Sequence, residues 1–194
     1  MSEDDKHRIS RVVTRSGDQG ETGLADGSRL SKDSPRIEAM GVVDELNASV
    51  GYLRSQLIDE HRHQDLLAWV QQRLFDIGGE LAIPDSVYLK AEHLTELEAQ
   101  CDVLNQELPP LREFVLPGGT PAGAWCHVCR TQTRTAERRL VPVDDLHADS
   151  AALPFLNRLS DLFFMLSRAI NREAGEGEAM WTRDESRKTK DESK

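Results

Sequence analysis

The segment Thr14-Arg15-Ser16-Gly17-Asp18-Gln19-Gly20-Glu21-Thr22-Gly23 has the composition of an anion cradle. Its glycines let the backbone turn tightly and aim N–H groups at phosphate oxygens, while the Thr and Ser hydroxyls and Arg15 add donors. The same residues also make ordinary surface turns. No Gly-Lys-Ser/Thr ending follows, so this is not a Walker loop. Lys32, a little further on, can add a point charge. A second cationic array lies at His127, Arg130, Arg134, Glu137 and Val141, whose spacings of three and four place them on one helical stripe. Arg138 lies one turn beyond Arg134. This stripe borders an apolar one, so its arginines are expected to be partly buried and to need a carboxylate or phosphate partner.

Amphipathic helices must carry these residues. Ser34-Pro35 reads as an N-cap followed by proline at the first helical position. The helix it opens places Val43, Leu46, Val50, Leu53 and Leu57 on its apolar face. A second helix carries Leu67, Val70, Leu74, Ile77 and Leu81. A third carries Leu94, Leu97, Cys101, Leu104 and Leu108. After the turn Pro117-Gly118-Gly119, a fourth aligns Ala122, Cys126, Cys129, Thr133, Ala136 and Leu140. The fifth carries Leu156, Leu159, Phe163, Leu166 and Ile170. Short proline or glycine breaks join them, which predicts an all-α, up-and-down five-helix bundle behind a polar, glycine-rich N-terminal stretch. Residues 1–181 form one expected domain, and the charged tail 182–194 is expected to be disordered. Polar pairs flank the core on other helices: Asp44 with Asn47 on the first, and Asn157, Asp161, Phe164 and Arg168 on the fifth. Three such stripes suggest a polar cleft or a subunit interface.

Composition narrows the function classes. A net charge of -10 argues against general affinity for nucleic acid or an anionic membrane surface. No run of about 18 apolar residues predicts a membrane span, and Met1–Lys6 lacks a signal-peptide core. Three cysteines do not suggest a disulfide framework, so a reducing cytoplasm is the expected setting. Cys126-His127-Val128-Cys129 superficially resembles a dithiol redox site, but both cysteines fall on the buried stripe. One helix cannot supply the four ligands of a zinc site. Glu60-x-x-His63 has no second copy, so a di-iron bundle is not expected, and no protein metal site is assigned.

In order and spacing, several segments resemble the PduO-type ATP:cob(I)alamin adenosyltransferases. They are Thr14–Gly20, Lys32, Asp44-Glu45-Leu46-Asn47, Phe114-Val115-Leu116-Pro117-Gly118-Gly119, the run from His127 through Arg130 to Arg139, and Asn157-Arg158-Leu159-Ser160-Asp161. The resemblance extends from about residue 11 to residue 172. It implies a homotrimer with sites between subunits, the loop of one protomer facing the fourth helix of its neighbour. It also implies transfer of the 5′-deoxyadenosyl group of ATP to cob(I)alamin, giving adenosylcobalamin and triphosphate, with magnesium accompanying the nucleotide.

By the same resemblance, the cradle from Thr14 to Gly23 and Lys32, Arg134, Thr135, Ala136, Glu137, Arg138 and Asn157 hold ATP. Arg134 also serves the chemistry, Asp44 and Arg130 make an intersubunit salt bridge, and Phe114 lies at the lower face of the corrin. Two departures remove cations near the triphosphate: Gln19 where many members have lysine, and Thr135 where many have arginine. A cobalamin reductase or a B12-dependent enzyme is a candidate protein partner. Two alternatives stay open: a non-catalytic sensor or carrier of ATP or adenosylcobalamin with this fold, and a helical interaction protein without ligand.

Overall fold

The computed structural model describes residues 13 and 15–182. Thr14, the first residue of the expected cradle, and the tail from residue 183 lie outside them. A ribbon of β1 (Glu21–Gly23) and β2 (Arg29–Ser31) precedes α1 (Pro35–Ser55), α2 (Gln64–Ala82), α3 (Ala91–Glu107), α4 (Pro121–Leu140) and α5 (Ala152–Glu173). The ribbon is antiparallel, with Thr22 opposite Leu30. Periodicity misses it because three-residue strands are too short to show alternation.

Proline sits in the first turn of α1 and α4, where a missing N–H goes unneeded and φ is already helical. Thr120 caps α4 by accepting the Gly123 N–H at 3.0 Å. Ser34 stands at the α1 N-cap as expected, yet its hydroxyl makes no capping bond and is buried without a partner. The apolar stripes of α2, α4 and α5 are buried throughout. On α3 only Leu97 and Leu104 are fully covered, because that helix packs chiefly on α5. Leu57 falls beyond the end of α1 and is half-buried.

Cross-helix contacts fix the topology. α1 runs antiparallel to α2, with Asn47 bonded to Gln71 and Arg36 to Leu81. It also runs antiparallel to α4, through Trp125–Ser49, Gln132–Glu45 and Arg139–Glu38. α4 opposes α5 through Glu137–Asn157 and Thr120–Asn171, whereas α3 lies parallel to α5 through Glu98–Arg158 and Glu107–Arg172. Chain direction therefore alternates through the five helices, but the spatial order is α2, α1, α4, α5, α3. Trp69 on α2 meets Phe155 on α5 with ring centroids 5.8 Å apart, which draws the two sides together. α4 is left between α1 and α5, with a third face outward.

Buried polar groups tie the helix ends. Arg36 donates to the Glu80 and Leu81 carbonyls at the α2 C-terminus and pairs with Asp145 at 2.7 Å. The Glu80 carboxylate accepts the N–H groups of Tyr88 and Leu89 and the Ser150 hydroxyl. Cys126 and Cys129 are free thiols in the core. Burial pushes Cys129 up to about 12 and Cys126 well above its ordinary value, so neither offers a thiolate near neutrality.

Before α4, Gly119 has φ +97° and Asn171 of α5 presses against it. The Asn171 Oδ1 accepts from the Thr120 N–H and hydroxyl, and its Nδ2 donates to the Gly118 carbonyl. A side chain at Gly119 or Gly123 would overlap this amide. Gly123→Ala should therefore lower unfolding free energy by about 1–3 kcal/mol, the usual range for overpacking, measured by urea denaturation. Adding Asn171→Ala should make the pair of changes less than additive, and strict additivity would show that the amide is not what the methyl meets.

Candidate functional site

The glycine-rich segment folds back on Lys32. The Lys32 N–H donates to the Gly20 carbonyl at 2.8 Å and the Gly20 N–H to the Gly17 carbonyl at 3.3 Å. The Lys32 ammonium lies 3.0 Å from where a Gly17 Cβ would stand, so Gly17 is a place of close approach. Arg15 and Gly20 both have left-handed backbones, with φ of 60° and 85°. Alternation between handed conformations is how successive N–H groups come to face one concavity. Arg29, which the sequence did not single out, braces the loop by donating to the Ser16 carbonyl at 2.9 Å and pairing with Glu21 at 3.2 Å. The Ala25 N–H donates to the Ala82 carbonyl and ties the ribbon to the end of α2. Asp18 and Gln19 are exposed on the turn.

Thr22 and Gly23 then line a groove of ≈ 530 Å³ over α1 and α2 that also includes Met40, Asp44 and Phe75. Asp44 is exposed and makes no ion pair among the described residues. Its sequence partner Asn47 is buried, pins α1 to α2 by donating Nδ2 to the Gln71 carbonyl at 3.3 Å, and lines the same groove as Asp44.

On α4 the second stripe is graded. His127 is buried, Arg130 and Glu137 are half-buried, and Arg134 and Arg138 are exposed. The expected partial burial of the arginines thus holds for Arg130 and fails for Arg134, which points off the outer face. Arg130 donates from Nε to His127 Nδ1 at 3.4 Å and has no carboxylate among the described residues. Burial lowers the Arg130 pKa from its ordinary value and Arg134 lowers it further. His127 is likewise lowered, first by burial and then by Arg130, which keeps the imidazole neutral as an acceptor. Glu137 Oε1 accepts from Asn157 Nδ2 at 2.8 Å, bringing together two residues expected to hold nucleotide. Arg158, part of the matched Asn157–Asp161 segment but given no role there, donates to Asn157 Oδ1 at 2.7 Å and orients the amide. Thr135 donates to the Thr131 carbonyl and accepts from Arg138. Ala136 is wholly buried in the core, so its side chain cannot reach a ligand in this fold.

Beside Arg130 opens a cleft of ≈ 520 Å³, lined by Phe114, Val115, Pro117, His127 and Phe164 among others. Phe114 is 79% exposed. An aromatic so exposed at the rim of an apolar cleft leaves area that a flat apolar ligand can cover. Its backbone is fixed, since the Trp181 N–H donates to the Phe114 carbonyl and the Leu116 N–H to the Ala179 carbonyl, both at 2.8 Å. Asn171, Arg168 and the stretch 178–181 therefore support this rim. Sequence reasoning placed Arg168 on a polar stripe without a role and passed over the others. The lone signal was Gly119 and Gly123, where missing Cβ atoms mark a close approach.

The residues expected from the sequence thus fall into two separate groups. The loop, Lys32 and Asp44 belong to the α1–α2 side, while Arg130, Arg134, Asn157 and Phe114 belong to the α4–α5 side. Among the described residues no cluster of three or more His, Cys, Asp or Glu could hold a metal, and no helix is long and apolar enough to cross a membrane.

The family model for cobalamin adenosyltransferase matches residues 12–170. A cobalamin adenosyltransferase of Cupriavidus metallidurans is 45% identical over 179 residues, covering 92% of this chain and 97% of the relative. A corrinoid adenosyltransferase of Bacillus subtilis is 39% identical, covering 89% and 93%. Among solved structures, a variant of the PduO-type ATP:corrinoid adenosyltransferase from Lactobacillus reuteri, complexed with cobalamin and ATP, superposes with a TM-score of 0.83. That protein is 34% identical, and the match covers 89% of this chain and all of the other. With five helices in the same arrangement and the motifs in place across most of its length, the chain belongs to the cobalamin adenosyltransferase family.

Proposed function

We infer that the chain is a corrinoid adenosyltransferase. Cobalt(I) of the reduced corrinoid attacks C5′ of ATP, a cobalt–carbon bond forms, the C5′–O bond breaks, and triphosphate leaves with the electron pair. The observation that carries the reading is Phe114 at the rim of an apolar cleft beside the cationic stripe of α4. The ATP and cobalamin bound in the L. reuteri enzyme support it from outside.

This chemistry asks for no activated Ser, Cys or His, and none stands out among the described residues, because cobalt(I) is itself the nucleophile. The protein has to align two substrates and stabilise charge on the leaving triphosphate. Arg15, Lys32 and the loop N–H groups serve the phosphates from one side and Arg134 from the other. Glu137 and Asn157, already bonded to each other, hold the nucleoside or its metal-bound phosphates. Magnesium arrives with ATP as part of the substrate. Glu137 Oε2 has no donor among the described residues and can add one carboxylate oxygen, the sparse protein ligation magnesium ordinarily takes.

The two half-sites join between copies of the chain in a homotrimer. Among the described residues Arg130 has no carboxylate partner and Asp44 no cation, and they lie on different faces of the protomer. This complementarity supports a salt bridge across subunits, as does a burial cost for Arg130 that a lone protomer leaves unanswered. Three free thiols suit a reducing cytoplasm. The sensor or carrier reading retains the same residues and differs only in turnover.

Purified protein mixed with ATP, magnesium and chemically reduced cobalamin should develop the absorbance of adenosylcobalamin. Bound nucleotide with no such product would sink the enzyme reading and leave the sensor. Arg134→Ala should raise the KM for ATP about tenfold, the loss of roughly one charge-assisted phosphate contact. Phe114→Ala should cut kcat/KM for the corrinoid at least about tenfold while leaving ATP affinity within about twofold. Loss of ATP binding in a folded Phe114→Ala protein would contradict this division of roles.

A further inference from the structure

We propose that Arg168 and Glu178 are positioning residues for the corrinoid step, acting by clamping the segment that carries Phe114. The proposal rests on the reading of the Phe114 cleft given above. Arg168 is on α5, with a side chain only 6% exposed. Its Nε meets Glu178 Oε1 at 2.5 Å and its Nη2 donates to the Pro109 carbonyl at 2.7 Å. One guanidinium thus grips both the stretch leaving α3 and the stretch that follows α5. Between these grips the two strands pair: Leu116 N–H to Ala179 carbonyl, Trp181 N–H to Phe114 carbonyl, and an antiparallel bridge of Val115 with Met180.

The need for such a clamp follows from the exposure of Phe114. A ring mostly in solvent gains little orientation from its neighbours, so its direction must come from the backbone on which it stands. Residues 108–120 connect two helices without a helix or ladder strand of their own. Asn171 fixes the Gly118–Thr120 end and Arg168 the Pro109 end. The 179–181 strand fixes the middle, where Phe114 is. A planar ion pair nearly out of water holds its geometry better than an exposed one, and breaking it leaves an unanswered charge. Arg168 touches neither of the two bound substrates in this scheme and works entirely through Phe114.

Two variants test the proposal: Glu178→Gln, which keeps shape and removes charge, and Arg168→Met, which keeps the buried stem. In both, amide hydrogen exchange at Leu116 and Trp181 reports whether the strands have loosened. Steady-state assays with ATP, magnesium and reduced cobalamin then separate the substrates. The clamp predicts faster exchange at both amides. It also predicts a corrinoid KM raised at least about fivefold, a KM for ATP within about twofold of wild type, and recovery toward wild type in Glu178→Asp. Faster exchange with an unchanged corrinoid KM would overturn the clamp while leaving the assigned reaction intact. Equal losses toward ATP and corrinoid would also overturn it, since they would indicate general destabilisation. A wild-type protein that forms no adenosylcobalamin would overturn the reading of the cleft and this proposal with it.

Discussion

Holding a guanidinium against the apolar core of a helical bundle costs solvation, and Arg130 meets that cost with one long hydrogen bond to His127. Its position is dictated by α4. That helix must bury Cys126, Cys129, Thr133, Ala136 and Leu140, and the 3.6-residue turn then sets His127, Arg130 and Glu137 along the edge of the core, half in and half out. Further round the same helix, Arg134 is free of the core and reaches solvent. A single helix therefore carries one half-buried cation and one exposed cation. Contacts between α4 and α5 hold the helix that carries both.

The support is layered. Asn157 and Glu137 lock α5 to α4 one turn from Arg134, and Arg158 orients the amide from outside. Asn171 holds the turn that starts α4, and the same turn leads back to Phe114. A charged row and an aromatic rim are thus built on one rigid pair of helices. Rigidity matters because nucleophile and leaving group must lie in line across C5′, and a misplacement of an ångström is expensive in rate. The loop from Arg15 to Gly23 is built differently, from left-handed turns at Arg15 and Gly20 and a short ribbon braced by Arg29.

Much of the fold was legible in the sequence. Helical period alone identified the core residues of α2, α4 and α5, because burial on one face leaves a strong apolar repeat. The order of packing was not legible. Placing α4 between α1 and α5 depends on contacts such as Trp125 with Ser49, which no periodicity encodes. The pairing of Glu137 with Asn157 follows from stripes that the sequence exposed. By contrast, Ala136 was assigned to the ligand through its neighbours in the motif, although its place on the core stripe already argued against it. Arg168 was placed on a polar stripe without a role, and Asn171 and the 178–181 stretch escaped notice, because much of what they do is to bond backbone carbonyls and amides, which any residue supplies.

The most direct test of the site as an assembly between copies is complementation of Asp44→Ala with Arg130→Ala. Alone, each variant lacks the proposed bridge at every site and should have little adenosyltransferase activity. Co-expressed at equal amounts, the chains form some contacts in which intact Asp44 of one protomer faces intact Arg130 of another. Random assembly restores about a quarter of the sites, so activity should rise to about that share of wild type. Activity of the mixture no greater than that of the two variants apart would contradict a bridge across subunits.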